Sequence, residues 1–280
     1  MINLISNLGE DARLEDLNTF NHVVAWFLRE ALKKQGHDSR FVRDHAKVIP
    51  AADHTIVISR VAMSRIRADQ EYREIVRAAT KGMMTLYLDA AFAYWDKLFD
   101  LIFTVVKPFR KSSEKYVYAG WGADPKHCFP QQKERTVFLD QRLGQAPIWK
   151  IYERVLPGAG VKILLHPYDT KFPTVPTRPR SRLSWLEMQK RFFRKTWFYL
   201  ETGLGESGLT RIEAATCGAL IVVPKPLYRP LTLASLEHAI WTEEWELRKI
   251  LKSNPDPDAI SRKARAHTWD RVASRILAEL

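Results

Sequence analysis

Leu200-Glu201-Thr202-Gly203-Leu204-Gly205-Glu206-Ser207-Gly208-Leu209-Thr210-Arg211-Ile212-Glu213-Ala214-Ala215-Thr216-Cys217-Gly218 reads as the end of a strand, a glycine-rich loop, a helix and a closing glycine. Residues 219–223 then resume as an apolar strand. Glycines in such a loop let the backbone come close to a ligand. The N–H groups at the start of the helix that follows favour an anion such as a pyrophosphate. Glu213 lies one turn into that helix, where an acidic group can reach back to a sugar hydroxyl, as one does in dinucleotide folds. The plainer reading of the same residues is an ordinary strand-to-helix turn with a capping glutamate.

The same alternation runs through the rest of the chain. Residues 2–6 predict a first strand. Phe20, Val23, Val24, Phe27, Leu28 and Leu32 recur at helical spacing, and Gly36 closes that helix. Strands are expected over 39–42, 55–59, 84–88, 101–106 and 116–118, with a charged helix over 67–81 that Gly82 stops. Gly120-Trp121-Gly122-Ala123-Asp124-Pro125 breaks regular structure. The pattern then restarts, with strands over 136–139, 161–165 and 197–200 and helices over 148–156, 183–194 and 209–217. Four prolines over 167–179 predict an irregular loop, and 258–280 reads as one long closing helix. Strands separated by helices imply parallel sheets covered on both faces. The expected fold class is α/β, with two Rossmann-like domains whose parallel sheets face a central cleft. The boundaries are 1–120, 121–258 and the closing helix 259–280. In such sheets ligands sit beyond the carboxyl ends of the strands.

The chain has 280 residues, 46% of them hydrophobic, enough for packed cores. No apolar run approaches the roughly 20 residues of a membrane span. Met1-Ile2-Asn3-Leu4-Ile5 has neither the basic start nor the cleavage site of a signal peptide. A cytoplasmic protein is therefore expected, in the host cytoplasm if a phage encodes it. Cys128 and Cys217 read as free buried thiols, without metal spacing. A net charge of +12 favours an anionic partner: nucleic acid, an acidic membrane surface or a phosphorylated small molecule.

Gly208-Leu209-x-x-x-Glu213-Ala214-x-x-Cys217-Gly218-Ala219, followed by Ile221-Val222-Val223, resembles the donor-site signature of GT-B glycosyltransferases. The resemblance implies that Glu213 binds the nucleotide ribose and that Ser207, Gly208 and Leu209 lie near the diphosphate. Many retaining members carry a further glutamate eight positions before this one. Gly205 stands there instead, and Glu206 follows it. Phe138-Leu139-Asp140-Gln141-Arg142-Leu143-Gly144-Gln145 matches the first strand and loop of the second domain in that family. Arg142 is the candidate diphosphate ligand, since its planar fork suits phosphate oxygens; an ordinary surface arginine is the other reading. Asp89, at the end of Leu86-Tyr87-Leu88, suits a general base for an acceptor hydroxyl or, equally, a helix cap.

More loosely, the layout is similar to the DNA β-glucosyltransferases of T-even phages: Asp89, then Arg142-x-Gly144-Gln145, then Leu209-x-x-x-Glu213, then a basic helix bearing Arg262, Lys263, Arg265 and Trp269. This implies an acceptor-binding first domain, a donor-binding second one and, as favoured acceptor, a hydroxymethylated base in DNA. A lipid-linked or surface glycan is the alternative acceptor, and a non-catalytic nucleic-acid-binding protein on a degenerate transferase scaffold the alternative class. The loop after Ser6 has only Gly9 and no G-x-G-x-x-G, against a Rossmann oxidoreductase. The expected partners are a nucleotide-sugar donor and DNA, with an anionic membrane surface in its place as the other option and no obligate protein partner. Basic stretches with aromatics among them, at 107–111, 178–182 and 190–195, suit phosphates and unstacked bases. No tightly bound cofactor is expected: UDP-glucose or a relative is a co-substrate. No Asp-x-Asp metal motif is read, so the sequence does not demand a divalent ion.

Overall fold

The computed structural model describes residues 1–87, 95–105, 115–139, 146–166, 183–203, 208–228 and 235–280. In chain order the described elements are β1 (Ile2–Ser6), α1 (Phe20–Lys34), β2 (Ser39–Arg43), β3 (Ala52–Val57), α2 (Arg60–Ala68), α3 (Gln70–Ala78), β4 (Thr80–Tyr87), β5 (Leu101–Thr104) and β6 (Tyr116–Tyr118). There follow β7 (Thr136–Leu139), α4 (Ala146–Val155), β8 (Lys162–Leu165), α5 (Trp185–Arg191), β9 (Phe198–Leu200), α6 (Leu209–Thr216), β10 (Leu220–Pro224) and β11 (His238–Trp241). The last three are α7 (Glu244–Lys252), α8 (Pro257–Ala264) and α9 (Trp269–Leu277). The chain divides into two compact units, Met1–Gly122 with Trp269–Leu280, and Ala123–Thr268.

The first unit holds a parallel sheet in the order β2-β1-β3-β4-β5-β6. Leu4, Ile5 and Ile56 are wholly buried, as befits central strands with cover on both faces. Helix α1 starts at Thr19, whose hydroxyl accepts from the His22 amide. It buries Val23, Val24, Phe27, Leu28 and Leu32, the stripe that its spacing predicts. Helix α9 packs on α1, with Trp269 stacked on Phe27 at 6.3 Å between ring centroids.

The second unit repeats the arrangement in the order β11-β10-β9-β7-β8. Read from its own first strand, that is again second, first, third, fourth, fifth. Gly218 ends α6 at a φ of 82°, in the left-handed region that glycine enters without strain. A Cβ there would stand 2.6 Å from the Pro257 carbonyl oxygen, so the glycine also admits α8 against α6. Ser261 on α8 donates to the Thr216 carbonyl at 2.7 Å across that contact.

Several expected elements differ from those observed. The helix expected over 67–81 is two helices meeting at Asp69, which ends α2 and whose carboxylate accepts from the Tyr72 amide to start α3. Gly82 does not stop a helix. It lies inside β4 opposite His54. The single closing helix is likewise two, α8 and α9. They part where the His267 carbonyl accepts from the Ala123 amide at 3.0 Å and Thr268 pairs with Ala123. Neither glycine nor proline marks that break. Strand β11 and helix α7 fall in a stretch to which the sequence reading assigns no element.

Candidate functional site

In a parallel sheet with this strand order, the loops after the first and third strands diverge to opposite faces, and a ligand fits between them. In the second unit those strands are β7 and β9, neighbours in register Val137↔Phe198 and Phe138↔Tyr199. Phe138 stacks on Tyr199 at 5.7 Å, locking the pair side by side. Residues 140–145 follow β7 in the chain and 201–208 follow β9, so the two candidate segments leave adjacent strand ends. Arg142, Gly205, Glu206 and Ser207 lie outside the described residues, as does Asp89 in the first unit. Gly208, Leu209 and Glu213 are described.

Gly208 caps α6, its carbonyl accepting from the Ile212 amide at 3.0 Å. A glycine cap brings no side-chain oxygen of its own to the first-turn amides. Leu209 is buried and fixes the helix against the core. Just past β9, Glu201 and Arg211 are both about nineteen-twentieths buried and form a two-pronged ion pair. The Arg211 Nε donates to Glu201 Oε1, and Nη2 donates to Oε2 at 2.9 Å. The Tyr152 hydroxyl donates to the Glu201 carbonyl at 2.6 Å, and the Glu201 amide to the Val222 carbonyl at 2.9 Å. The pair therefore pins both ends of the stretch 202–210. The sequence reading missed it, although an acid and a guanidinium bracketing a glycine-rich turn are visible in the quoted stretch.

Glu213 is 4% exposed. Its Oε1 accepts from the Trp185 indole at 2.6 Å, a contact from the first residue of α5. Burial pushes its carboxyl up to about 7, opposed by the hydrogen bond from Trp185. An ionised carboxylate has about four lone-pair sites, and the indole takes one. Around this group, Cys128 and Cys217 are both free and wholly buried, each sulfur within 3.5 Å of Gln189 Oε1. Burial holds the Cys128 thiol well above its ordinary range, so it is an inert, packed thiol.

The basic stretches change character once folded. Residues 107–111 and 178–182 lie outside the described residues. Within 190–195, Lys190, Arg191 and Lys195 are exposed. Phe192 and Phe193 instead pack into the core against Phe138. Arg194 is buried over the Phe129 ring and donates to the His127 carbonyl at 2.8 Å. This stretch offers charge without stacking surface, contrary to expectation. Trp269 is likewise buried, while Arg262, Lys263 and Arg265 are exposed. An Asp-x-Asp spacing does occur, at Asp256-Pro257-Asp258, and it is a helix cap: the Asp256 carboxylate accepts from the amides of Asp258 and Ala259. Among the described residues no group of three or more His, Cys, Asp or Glu side chains could hold a metal ion.

No family model matches this sequence, and no curated protein matches it. Solved structures do. A sucrose-phosphate synthase from Thermosynechococcus elongatus is 13% identical, with a TM-score of 0.59 over 99% of this chain and 97% of that one. The fold is the GT-B fold. An α-glucosyltransferase in complex with UDP and a 13-mer DNA containing a HMU base is 13% identical, with a TM-score of 0.57 over 97% and 94%. WaaG, a glycosyltransferase involved in lipopolysaccharide biosynthesis, is 9% identical, with a TM-score of 0.53 over 99% and 98%. The expected class, two Rossmann-like α/β domains with parallel sheets, is the one observed. The DNA-bound structure is an α-glucosyltransferase, whereas the layout of the sequence motifs is similar to that of β-glucosyltransferases. Among the described residues no helix is long and apolar enough to cross a membrane.

Proposed function

We propose that this chain is a nucleotide-sugar-dependent glycosyltransferase whose favoured acceptor is a hydroxymethylated base in DNA. One observation carries the donor half of this reading: the two segments matched to donor-site motifs leave β7 and β9, the adjacent strands at the point where strand order reverses. In this reading Glu213 takes the ribose, and Arg142 with the backbone of Gly205, Glu206, Ser207, Gly208 and Leu209 takes the diphosphate. Asp89 accepts the proton of the acceptor hydroxyl. The acceptor oxygen bonds to the anomeric carbon as the bond from that carbon to the phosphate oxygen breaks. The departing diphosphate gathers negative charge, which α6 amides and the Arg142 guanidinium stabilise.

The net charge and the exposed Lys190, Arg191, Lys195, Arg262, Lys263 and Arg265 support a polyanionic acceptor. The DNA complexes among the similar structures support the same choice. A surface glycan is the second acceptor reading, supported by the likeness to WaaG. The reading of a non-catalytic nucleic-acid binder stands against both.

A thermal-shift screen with UDP, GDP, ADP and CMP tests the donor half, because a ligand of the folded state raises Tm. Glu213→Ala is expected to raise the donor Kd roughly tenfold or more, as for a lost charge-assisted hydrogen bond. Unchanged affinity in the folded variant removes the ribose role. Sugar transfer from UDP-glucose to duplex DNA containing hydroxymethylcytosine, run beside lipopolysaccharide, decides the acceptor. Duplex binding should weaken steeply with salt. Absent DNA binding at low salt ends the DNA reading, and absent turnover on every acceptor favours the non-catalytic one.

A further inference from the structure

We infer that Trp185 is a positioning residue for the donor: its indole N–H aims the Glu213 carboxylate at the nucleotide ribose. The inference rests on the donor-site reading above and adds a residue that no motif in the sequence marks. The contact at 2.6 Å joins the first residue of α5 to α6, 28 residues away in the chain.

The indole is itself held in place. Ser184 caps α5, its hydroxyl accepting from the Glu187 amide while the Glu187 carboxylate accepts from the Ser184 amide. The His127 ring meets the Trp185 ring edge-on at 5.7 Å, and Asp124 fixes that imidazole through Nδ1 at 2.5 Å. Trp185 is thus clamped on two sides before any ligand arrives, and its N–H points at a single carboxylate oxygen.

A buried carboxyl group near neutrality stands between two states: the ionised one offers every lone pair to the ribose hydroxyls in charge-assisted bonds, whereas the protonated one turns one oxygen into a donor and accepts more weakly. A donor N–H stabilises the ionised state, opposing the burial that disfavours it. The groups packed around Glu213 make Trp185 a strong influence. From α5 come Trp185 and Gln189, and from the segment before β7 come Cys128 and, behind the indole, Asp124 and His127. Arg211 and Cys217 share its helix; the first is engaged by Glu201 and the second is a buried thiol. Ser261, from α8, bonds Thr216. Arg194 is turned to the His127 carbonyl.

The test is calorimetric titration of the full chain with UDP from pH 5.5 to 9, with Glu213→Gln supplying the nucleotide's own titration. In the unsubstituted protein affinity should fall below about pH 7. In Trp185→Phe, which keeps the ring and loses the donor, that fall should begin about one pH unit higher, the size expected for one hydrogen bond to a charged group. Affinity at pH 7 then drops several-fold, and at pH 9 it returns to within about twofold. A role in packing alone would lower affinity equally at every pH, and that outcome, or an unmoved profile, overturns the inference while leaving the donor site standing. Failure of the unsubstituted chain to bind UDP, GDP or ADP overturns both. Should Trp185→Phe not fold, the Nε1–H resonance of Trp185 in tryptophan-labelled protein must titrate near pH 7; a flat resonance is equally fatal.

Discussion

The two sheets share one strand order and, among the described residues, carry different chemistry at their carboxyl edges. In the first unit the described part of the edge, past β1, β2 and β3, is knit together by the Ser59 hydroxyl and Asp44. The Ser59 hydroxyl donates to the Asp44 carboxylate at 2.5 Å and accepts from the amides of Val61 and Ala62. The Asp44 amide donates to the Ser6 carbonyl, and the Tyr72 hydroxyl to the Asp44 carbonyl. In the second unit the corresponding edge buries a carboxylate with a guanidinium and, one turn on, a carboxyl that titrates near neutrality. Topology sets where a site can be.

Substitutions at the two edges should therefore differ in size. Arg211→Ala leaves the Glu201 carboxylate buried without its main partner and should cost the second unit about 3–5 kcal/mol. Urea unfolding followed by hydrogen exchange on peptides from residues 123–268 reads it. Replacing both members by methionine should recover most of the loss. A loss below about 1 kcal/mol would mean that the pair is solvated, and the contrast between the edges would fail there.

The next effect is a pH slope confined to the second unit. Glu213 holds its proton to about pH 7 when folded, against about 4.5 when unfolded. Between those values the folded chain binds the extra proton, so stability is highest below about 4.5 and falls as pH rises through about 7. The total is on the order of 3 kcal/mol. Glu213→Gln should flatten that slope in the same exchange experiment, and an undiminished slope would place the titrating group elsewhere.

The smallest effect belongs to the first unit. Ser59→Ala removes the α2 cap and the hydrogen bond to Asp44, and should cost about 1–2 kcal/mol with no change in exchange within residues 123–268.

Much of this was legible beforehand, and the reasons for the rest are physical. Strands such as residues 136–139 and 220–224 stand out because both faces are covered, which leaves nearly continuous apolar runs. The start of α6 at Leu209 and its end at Gly218 were visible for the same kind of local reason. Periodicity, however, gives the phase of a helix and not its partner. Nothing near Glu213 announces that its oxygen meets Trp185, nor that Phe192 and Phe193 turn inward and leave only the charges of their stretch outside. The division at residues 265–268 was hidden because backbone pairing with Ala123 makes it, not a helix-breaking residue. Arg211 and Glu201 were in plain view, yet their ten-residue separation matches no local motif.

That division has a bearing on how the protein is made. The second unit is one continuous run, complete once residue 268 has been synthesised, whereas the first waits for α9, which follows the second unit in the chain. Until then Phe27 and Trp121 lack the Trp269 ring that both contact. The half that is read first during translation is thus finished last, and a chain cut after Thr268 would carry an intact second unit beside a first one with an open apolar face.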